Sequence, residues 1–484
     1  MTNNLKQLET FTIWSDEIET RLDPFFYRPV FKKLVASIND TKHEAPSLAA
    51  IVEFSIAGDW GEDPDTFEPT PEYRLCYVLR NTNFDNKYNL NFSDVAQRYI
   101  KNSKVEKLAL QKGDILIEKS GGSPVQPVGR IAFVEELPFD KPVVFSNFLQ
   151  KTRIADSSFL PEYVFTFLQL IYHLGYTEFL QNQTTGIKNL RLDDFFKIRI
   201  TKLSIAEQKK VANLAFAARR KAKKLEEEAK QVALSIDNYV FGELGISIPE
   251  GKTEQVFQIW SNEVEGRLDT LFYKPLLRKL LDQIEKQKHF ALGEAIAEMS
   301  GGATPKVTDD YYLDEGGVPF LRVQNITEMG LILDDVKFIK PEVHQTMLKR
   351  SQLKKDDLVF TITGRIGSVA VVPENFEGNI NQHSVRIHLQ REVSKTKILP
   401  EYVAAFFNTK AGRDLSFRYT TGGTRPALDY QALRNLVVPL PSTETQERIV
   451  SGVGSFYKKV RALKTEADEV LLSAQKKVEQ MILA

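Results

Sequence analysis

Ile13-Trp14-Ser15-Asp16-Glu17-Ile18-Glu19-Thr20-Arg21-Leu22-Asp23-Pro24-Phe25-Phe26-Tyr27-Arg28-Pro29 returns 246 residues later as Ile259-Trp260-Ser261-Asn262-Glu263-Val264-Glu265-Gly266-Arg267-Leu268-Asp269-Thr270-Leu271-Phe272-Tyr273-Lys274-Pro275. A second match, Leu160-Pro161-Glu162-Tyr163-Val164 with Leu399-Pro400-Glu401-Tyr402-Val403, and a third, Thr184-Thr185-Gly186 with Thr420-Thr421-Gly422, keep the order while the offset drifts to 236. Self-similarity at one long period means a duplicated unit. The chain therefore reads as two homologous halves that differ by small insertions.

Each half ends in a long helical pattern. Ser204-Ile205-Ala206-Glu207 and Thr443-Glu444-Thr445-Gln446 both fit the capping box, in which a hydroxyl and the side chain three residues on satisfy backbone donors. Val211, Leu214, Ala218, Ala222, Leu225, Ala229, Val232 and Ile236 step by three or four, as do Val453, Phe456, Val460, Leu463, Ala467, Val470 and Ala474. Such narrow apolar seams are of coiled-coil type. Gly452 and Gly454 weaken the opening turns of the second helix by about 1 kcal/mol each, which predicts a stable part starting near Ser455. The first helix, from Ser204 to Tyr239, is roughly 54 Å long at 1.5 Å per residue. Each seam finds its only matching partner in the other, so the two helices are expected to run antiparallel. Two independent tandem domains with helical tails are the alternative. Segments such as Lys112–Ile117 and Lys355–Ile362 read as short strands, with Gly121-Gly122, Gly301-Gly302, Gly316-Gly317 and Gly422-Gly423 as turns. The expected fold class is α/β: two mixed α/β units separated by a long antiparallel two-helix coiled coil, with a pseudo-twofold internal repeat. Residues 45–150 resemble 290–385 only faintly, which implies one scaffold with two different faces.

The 484 residues are enough for two to four domains, and 42% hydrophobic with 26% charged residues is a globular composition. Lys and Arg total 64 and so do Asp and Glu, so a polyanionic partner must be held by local basic surface. No apolar run reaches membrane-spanning length and the N-terminal residues lack a signal-peptide core, so a soluble, cytoplasmic protein with no membrane partner is expected. The single cysteine, Cys76, cannot close an internal disulfide.

Catalytic constellations are missing. His43, His173, His289, His344, His383 and His388 form no helical ligand pair. His383 and His388, five apart on an expected strand, should face opposite ways, so no metal site is assigned. No phosphate-binding loop occurs, and Gly452-Val453-Gly454 lacks the strand and third glycine of a dinucleotide loop. Asp23-Pro24-Phe25-Phe26 approaches an adenine-holding motif of amino-methyltransferases, but both copies lack the second proline. Asp114 and Glu118 lack the Glu-x-Lys companion of a common nuclease core. No catalytic residues are assigned.

Over nearly its full length the chain resembles the specificity subunit of type I restriction-modification systems. The residues that carry this are Ser300-Gly301-Gly302-Ala303-Thr304-Pro305, Pro319-Phe320-Leu321-Arg322-Val323, Lys355-Asp356-Asp357-Leu358, Leu399-Pro400-Glu401-Tyr402, Thr420-Thr421-Gly422-Gly423-Thr424-Arg425, and Val437-Val438-Pro439-Leu440-Pro441 before a helix with Gln446. The first half departs from this pattern: Ser120-Gly121-Gly122-Ser123-Pro124 stands late in the half, Gly186-Ile187-Lys188 replaces Gly-Gly-Thr, and Ile200-Thr201-Lys202-Leu203 replaces the proline-rich exit. The resemblance implies a non-catalytic subunit with a target-recognition domain and strap over 1–203, a spacer helix over 204–242, a second such domain over 243–442 and a second spacer helix over 443–484. Each domain would read half of a bipartite site in double-stranded DNA. Such subunits recruit two modification subunits, which use S-adenosylmethionine to methylate adenine, and through them restriction subunits that use ATP; this chain itself would hold no cofactor, with S-adenosylmethionine, ATP and Mg on the partners. A self-sufficient DNA adenine methyltransferase and a tandem-domain protein-binding adaptor are the alternatives.

Base readout needs forked donors, Arg on guanine and Asn or Gln on adenine, while Lys and Thr chiefly hold phosphates. On that chemistry the candidate DNA contacts in the second half are Lys306, Arg322, Gln324, Asn325, Arg365, Gln382, Arg386, Thr421 and Arg425. In the first half they are Arg130, Asn147, Gln181, Asn182, Gln183, Lys188, Asn189 and Arg191. Arg219, Arg220, Lys221, Lys223 and Lys224 are either phosphate contacts across the unread gap or a solvated helix face. The repeated aromatic straps, Trp14, Phe26 and Tyr27 with Trp260, Phe272 and Tyr273, are candidates for binding a modification subunit twice or for packing each domain on the helices.

Overall fold

The computed structural model describes residues 11–15, 18, 27–39, 42–85, 87, 89–122, 126–184, 187–251, 256–306, 308 and 310–483. Contacts divide the chain into two compact units, 1–224 with 466–484, and 225–465.

In the first unit, strands β1 (Val52–Ala57), β2 (Ile115–Glu118), β3 (Ile131–Phe133) and β4 (Leu149–Ile154) form one antiparallel sheet in the order β1-β4-β2-β3. Strand β2 is buried along its whole length because it is covered on both faces. Successive side chains alternate: Ile115 and Ile117 join the core that holds helix α1 (Pro161–His173), whereas Leu116 joins a second core under the strands Tyr73–Leu79 and Val143–Phe145. These last two pair in parallel, and Ala96–Lys101 pairs antiparallel with the first of them. Helix α2 (Ile205–Glu243) contributes Val211, Ala215 and Phe216 to the α1 core, and the end of the C-terminal helix contributes Val478 and Ile482.

The second unit has the same strand order. Its sheet contains β5 (Ile296–Gly301), β6 (Leu358–Thr361), β7 (Val369–Val371) and β8 (Ser384–Leu389), ordered β5-β8-β6-β7 and antiparallel throughout. Leu358 and Phe360 face the core under helix α3 (Pro400–Asn408), and Val359 faces the opposite core. Val318–Leu321 pairs in parallel with Asn379–Ile380, as its counterpart does in the first unit. Helix α4 (Thr443–Leu483) contributes Ile449 and Val453, and α2 contributes Ile236, Val240 and Phe241.

The two long helices pack together in both units, and Val211, Ala218, Ala222, Ala229, Ile236, Val453, Val460, Ala467 and Ala474 are buried, while Leu214, Leu225, Val232, Phe456, Leu463 and Val470 are half-buried. Lys221 pairs with Glu466 in the first unit, and Lys459 with Glu228 and Arg448 with Glu243 in the second. Ser204 and Glu207 form the expected capping box, with reciprocal bonds of 3.3 and 3.0 Å.

The opening of α4 departs from expectation. Its helix starts at Thr443, not near Ser455, and its capping hydroxyl is Ser442, which accepts from the Thr445 N–H at 3.3 Å. Gln446 is turned inward instead. It accepts from the Leu399 N–H at 3.0 Å and donates to the carbonyls of Lys397 and Pro441 at 2.8 and 3.2 Å. Gln208 does the same at α2, accepting from the Leu160 N–H at 2.8 Å and donating to Ser158 and Leu203. Both glutamines are fully buried, and each ties the start of a long helix to the residue just before α1 or α3. Gly452 does not fray the helix: a Cβ there would sit 2.2 Å from the Tyr239 hydroxyl, which donates to the Arg448 carbonyl at 2.8 Å. The glycine exists for close helix approach.

Candidate nucleic-acid interface

Sheet geometry in each unit builds an exposed tip. Gly58, just past β1, crosses beneath the turn before β4 so tightly that a Cβ would lie 2.1 and 2.3 Å from the carbonyls of Phe145 and Ser146. Gly302, just past β5, meets the carbonyls of Ile380 and Asn381 at the same two distances. Only glycine permits either crossing, and each turn carries two exposed side chains, Asn147-Phe148 and Gln382-His383. His383 therefore lies on the turn preceding β8 and not on a strand with His388.

Each tip is joined to neighbouring loops. The Phe148 carbonyl accepts from the Lys119 and Ser120 N–H groups at 2.9 and 3.3 Å, and the His383 carbonyl accepts from Ile362 at 3.0 Å. Beside the first tip Ser120–Gly121 pairs with Ile187–Leu190, which pairs with Gln181–Thr184. The Ser120 hydroxyl donates to Asn189 Oδ1 at 2.7 Å. Asn147, Asn182, Lys188 and Asn189 thus share one edge of the unit. Beside the second tip, Ala427 bridges both Thr363 and Thr421, which places the Thr421–Arg425 turn next to it. Thr421, Arg425, Lys306 and Gln382 are all exposed there.

A chain of polar side chains crosses the second tip. The Thr304 hydroxyl donates to Gln382 Oε1, Gln382 Nε2 lies 3.2 Å from His383 Nε2, and His383 Nδ1 lies 2.6 Å from the Thr363 hydroxyl. Sequence reasoning missed Thr304, Thr363 and His383 as parts of one constellation, because they come from three separate loops and share no spacing.

Other sequence candidates are held internally. Asn325 is buried: its Oδ1 accepts from the Arg322 N–H at 2.9 Å and its amide donates to the Ile332 carbonyl at 2.9 Å. Asn83 does the same in the first unit, accepting from Arg80 at 2.8 Å. These are loop braces, not readout groups. Arg386, also buried, bonds Asp357 and Glu298, which holds the Glu298 carboxyl below its ordinary range. Arg130 makes a two-pronged 2.8 Å contact with fully buried Glu118. The pair considered for nuclease chemistry is therefore structural, since Asp114 is likewise buried against Arg153 at 2.7 Å. Arg322 pairs with Asp335, Arg365 with Glu328 and Arg191 with Asp194. Gln181 accepts from the Val128 N–H at 3.3 Å, and Gln324 is exposed beside Arg322. Arg219 is buried, its guanidinium 4.8 Å from the Phe165 ring centre, so it is no phosphate contact. Phe26 and the side chain of Gln183 lie outside the described residues, as do Asp23, Pro24, Ser123, Pro124 and Gly186.

The straps split by residue. Tyr27, Phe272 and Tyr273 are buried, so they pack and cannot dock a partner. The Arg418 guanidinium lies 3.7 Å from the Phe272 ring centre, and the Tyr273 hydroxyl donates to the Arg267 carbonyl at 2.8 Å. Trp14 and Trp260, by contrast, are 70% and 76% exposed.

Among the described residues there is no metal-holding group of His, Cys, Asp and Glu side chains, and no helix is long and apolar enough to cross a membrane. What both units present is a set of amide, hydroxyl and cationic side chains on loop tips braced by a sheet. Residues 284–472 match the family model of the Type I restriction modification DNA specificity domain. The specificity subunit of the EcoBI type I restriction enzyme from Escherichia coli is 26% identical over 155 residues, 32% of each chain. That of MjaIX from Methanocaldococcus jannaschii is 23% identical over 179 residues, 36% of this chain and 39% of the relative. The matched stretches thus span about a third of the curated relatives. Among solved structures, the type I restriction-modification S subunit from M. genitalium is 14% identical, covering 92% of this chain and 97% of that one, at a TM-score of 0.45. A chain from a structure describing assembly and conformational transition of the type I R-M system, also 14% identical, covers 91% and 97% at 0.48.

Proposed function

We propose that this chain is the non-catalytic DNA-reading subunit of a type I restriction-modification assembly. The observation that supports this most is the pair of glycine-crossed tips: the same backbone construction occurs in both units, yet one tip offers Asn147-Phe148 and the other Gln382-His383. Two readers of one design with different side chains suit a bipartite site whose halves differ. In this reading Asn147, Asn182, Lys188 and Asn189 meet one half-site, and Lys306, Gln382, Thr421 and Arg425 the other. Amides and Arg read base edges, and Lys and Thr hold phosphates. The paired long helices act as the coiled-coil spacer between two target-recognition domains. Half-sites one helical turn apart, roughly 34–36 Å, fit such a spacer. Trp14 and Trp260 are the anchors for two copies of the modification subunit, which hold S-adenosylmethionine, with ATP and Mg on restriction subunits.

Balanced charge predicts weak binding to DNA by this chain alone and salt-sensitive binding once partners add phosphate contacts. The decisive experiment compares adenine methylation across the genome with and without the gene. Loss of one gapped motif supports the reading; an unchanged methylome refutes it and favours a protein-binding adaptor.

A further inference from the structure

We propose that His383 is a positioning residue that holds the plane of the Gln382 amide at the second tip; this rests on the DNA-reading function proposed above. An exposed glutamine is a poor reader unless its amide plane is held. A free amide turns over, presents carbonyl and NH2 in either order, and gives up the two-bond match to adenine.

Gln382 is held on both sides. The Thr304 hydroxyl donates to Oε1, and Nε2 lies 3.2 Å from the His383 ring nitrogen Nε2. An amide can offer its NH2 to a bare ring nitrogen or its oxygen to a protonated one, so this nitrogen bonds the amide in either tautomer. Nδ1 is where Thr363 stands, 2.6 Å away and able to accept. Thr363, whose hydroxyl can accept or donate, anchors the ring, the ring nitrogen and Thr304 together hold the amide plane, and one lone pair and one N–H of Gln382 remain for a base edge. The first tip supplies the internal comparison. Phe148 occupies the place of His383: both carbonyls accept from the strand-end loop, and both residues follow the candidate amide. A phenyl ring has no lone pair, so Asn147 has no such restraint from its neighbour.

The test uses the full chain assembled with its modification subunits, with methylation motifs read by sequencing of genomic DNA. His383→Phe installs the ring that the other unit already displays at this place, so the turn keeps its shape. Expected is a change at one base position of one half-site, with discrimination there falling about fivefold or more, the lower end of one bidentate pair. Gln382→Ala should relax the same position, and the double variant should add nothing further. Thr363→Val, which removes the hydroxyl that anchors the His383 ring, should shift the same position by less. The inference is overturned if Gln382→Ala relaxes a position that His383→Phe leaves intact, if Gln382→Ala changes nothing, or if the two losses add. A wild-type chain that confers no gapped motif would overturn the proposed function as well, which separates the two failures.

Discussion

Two glycines in one helix make opposite predictions. A Cβ built on Gly452 would lie 2.2 Å from the Tyr239 hydroxyl and 2.3 Å from two ring carbons, whereas one built on Gly454 meets no atom within 4 Å. Ala is the better helix former by about 1 kcal/mol at either place. At Gly454 that gain stands, and Gly454→Ala should raise stability by about 0.5–1 kcal/mol. At Gly452 the ring must move or the helices must part. Overpacking costs about 1–3 kcal/mol, and loss of the 2.8 Å bond from Tyr239 to the Arg448 carbonyl costs about 1 kcal/mol more. After the propensity gain, Gly452→Ala should destabilise by about 1–3 kcal/mol. For a unit of this size each kcal/mol moves Tm by about 2–4 °C. Thermal melts should therefore show Gly454→Ala up by about 2 °C and Gly452→Ala down by about 5 °C. Shifts of the same sign would refute the claim that this glycine serves helix contact, and Tyr239→Ala should rescue Gly452→Ala if the clash is the cause.

Gln446→Leu leaves the half-buried Leu399 N–H without its acceptor and takes the Gln446 donor from two carbonyls. At about 1–3 kcal/mol for an orphaned buried group, a loss near 3 kcal/mol is expected in urea unfolding, with faster hydrogen exchange at Leu399; full protection of that amide would contradict it. Lys151 is buried with its ammonium on the carbonyls of Lys107 and Ala109, and burial pushes it down to about 8. Between pH 8 and about 10.4, its ordinary value, the unfolded chain holds a proton that the folded chain has released. Stability should therefore rise with pH across that window, by up to about 3 kcal/mol. Lys151→Met should flatten that rise; an unchanged slope would show that Lys151 does not titrate there.

The two long helices and their packing together were legible in sequence because they depend on local order: a capping hydroxyl and a three-four apolar spacing. Asn147 and Gln382 were chosen as candidate readers from chemistry alone, and the structure leaves both exposed. Asn325 and Arg386 have the same chemistry, but Asn325 is taken up by Arg322, Ile332 and Asp335 of its own loop, and Arg386 by Asp357 and Glu298, which sheet pairing brings from other segments. The straps divided for the same reason, since burial of Phe272 is set by Arg418 from 146 residues away. Likewise Gly452 looks like a defect until Tyr239 is placed against it. Local propensity and periodicity are properties of neighbouring residues, so a sequence alone determines which elements form and which faces they bury. Which polar groups stay at the surface depends on who satisfies them, and that is decided only when segments far apart in the chain are packed together.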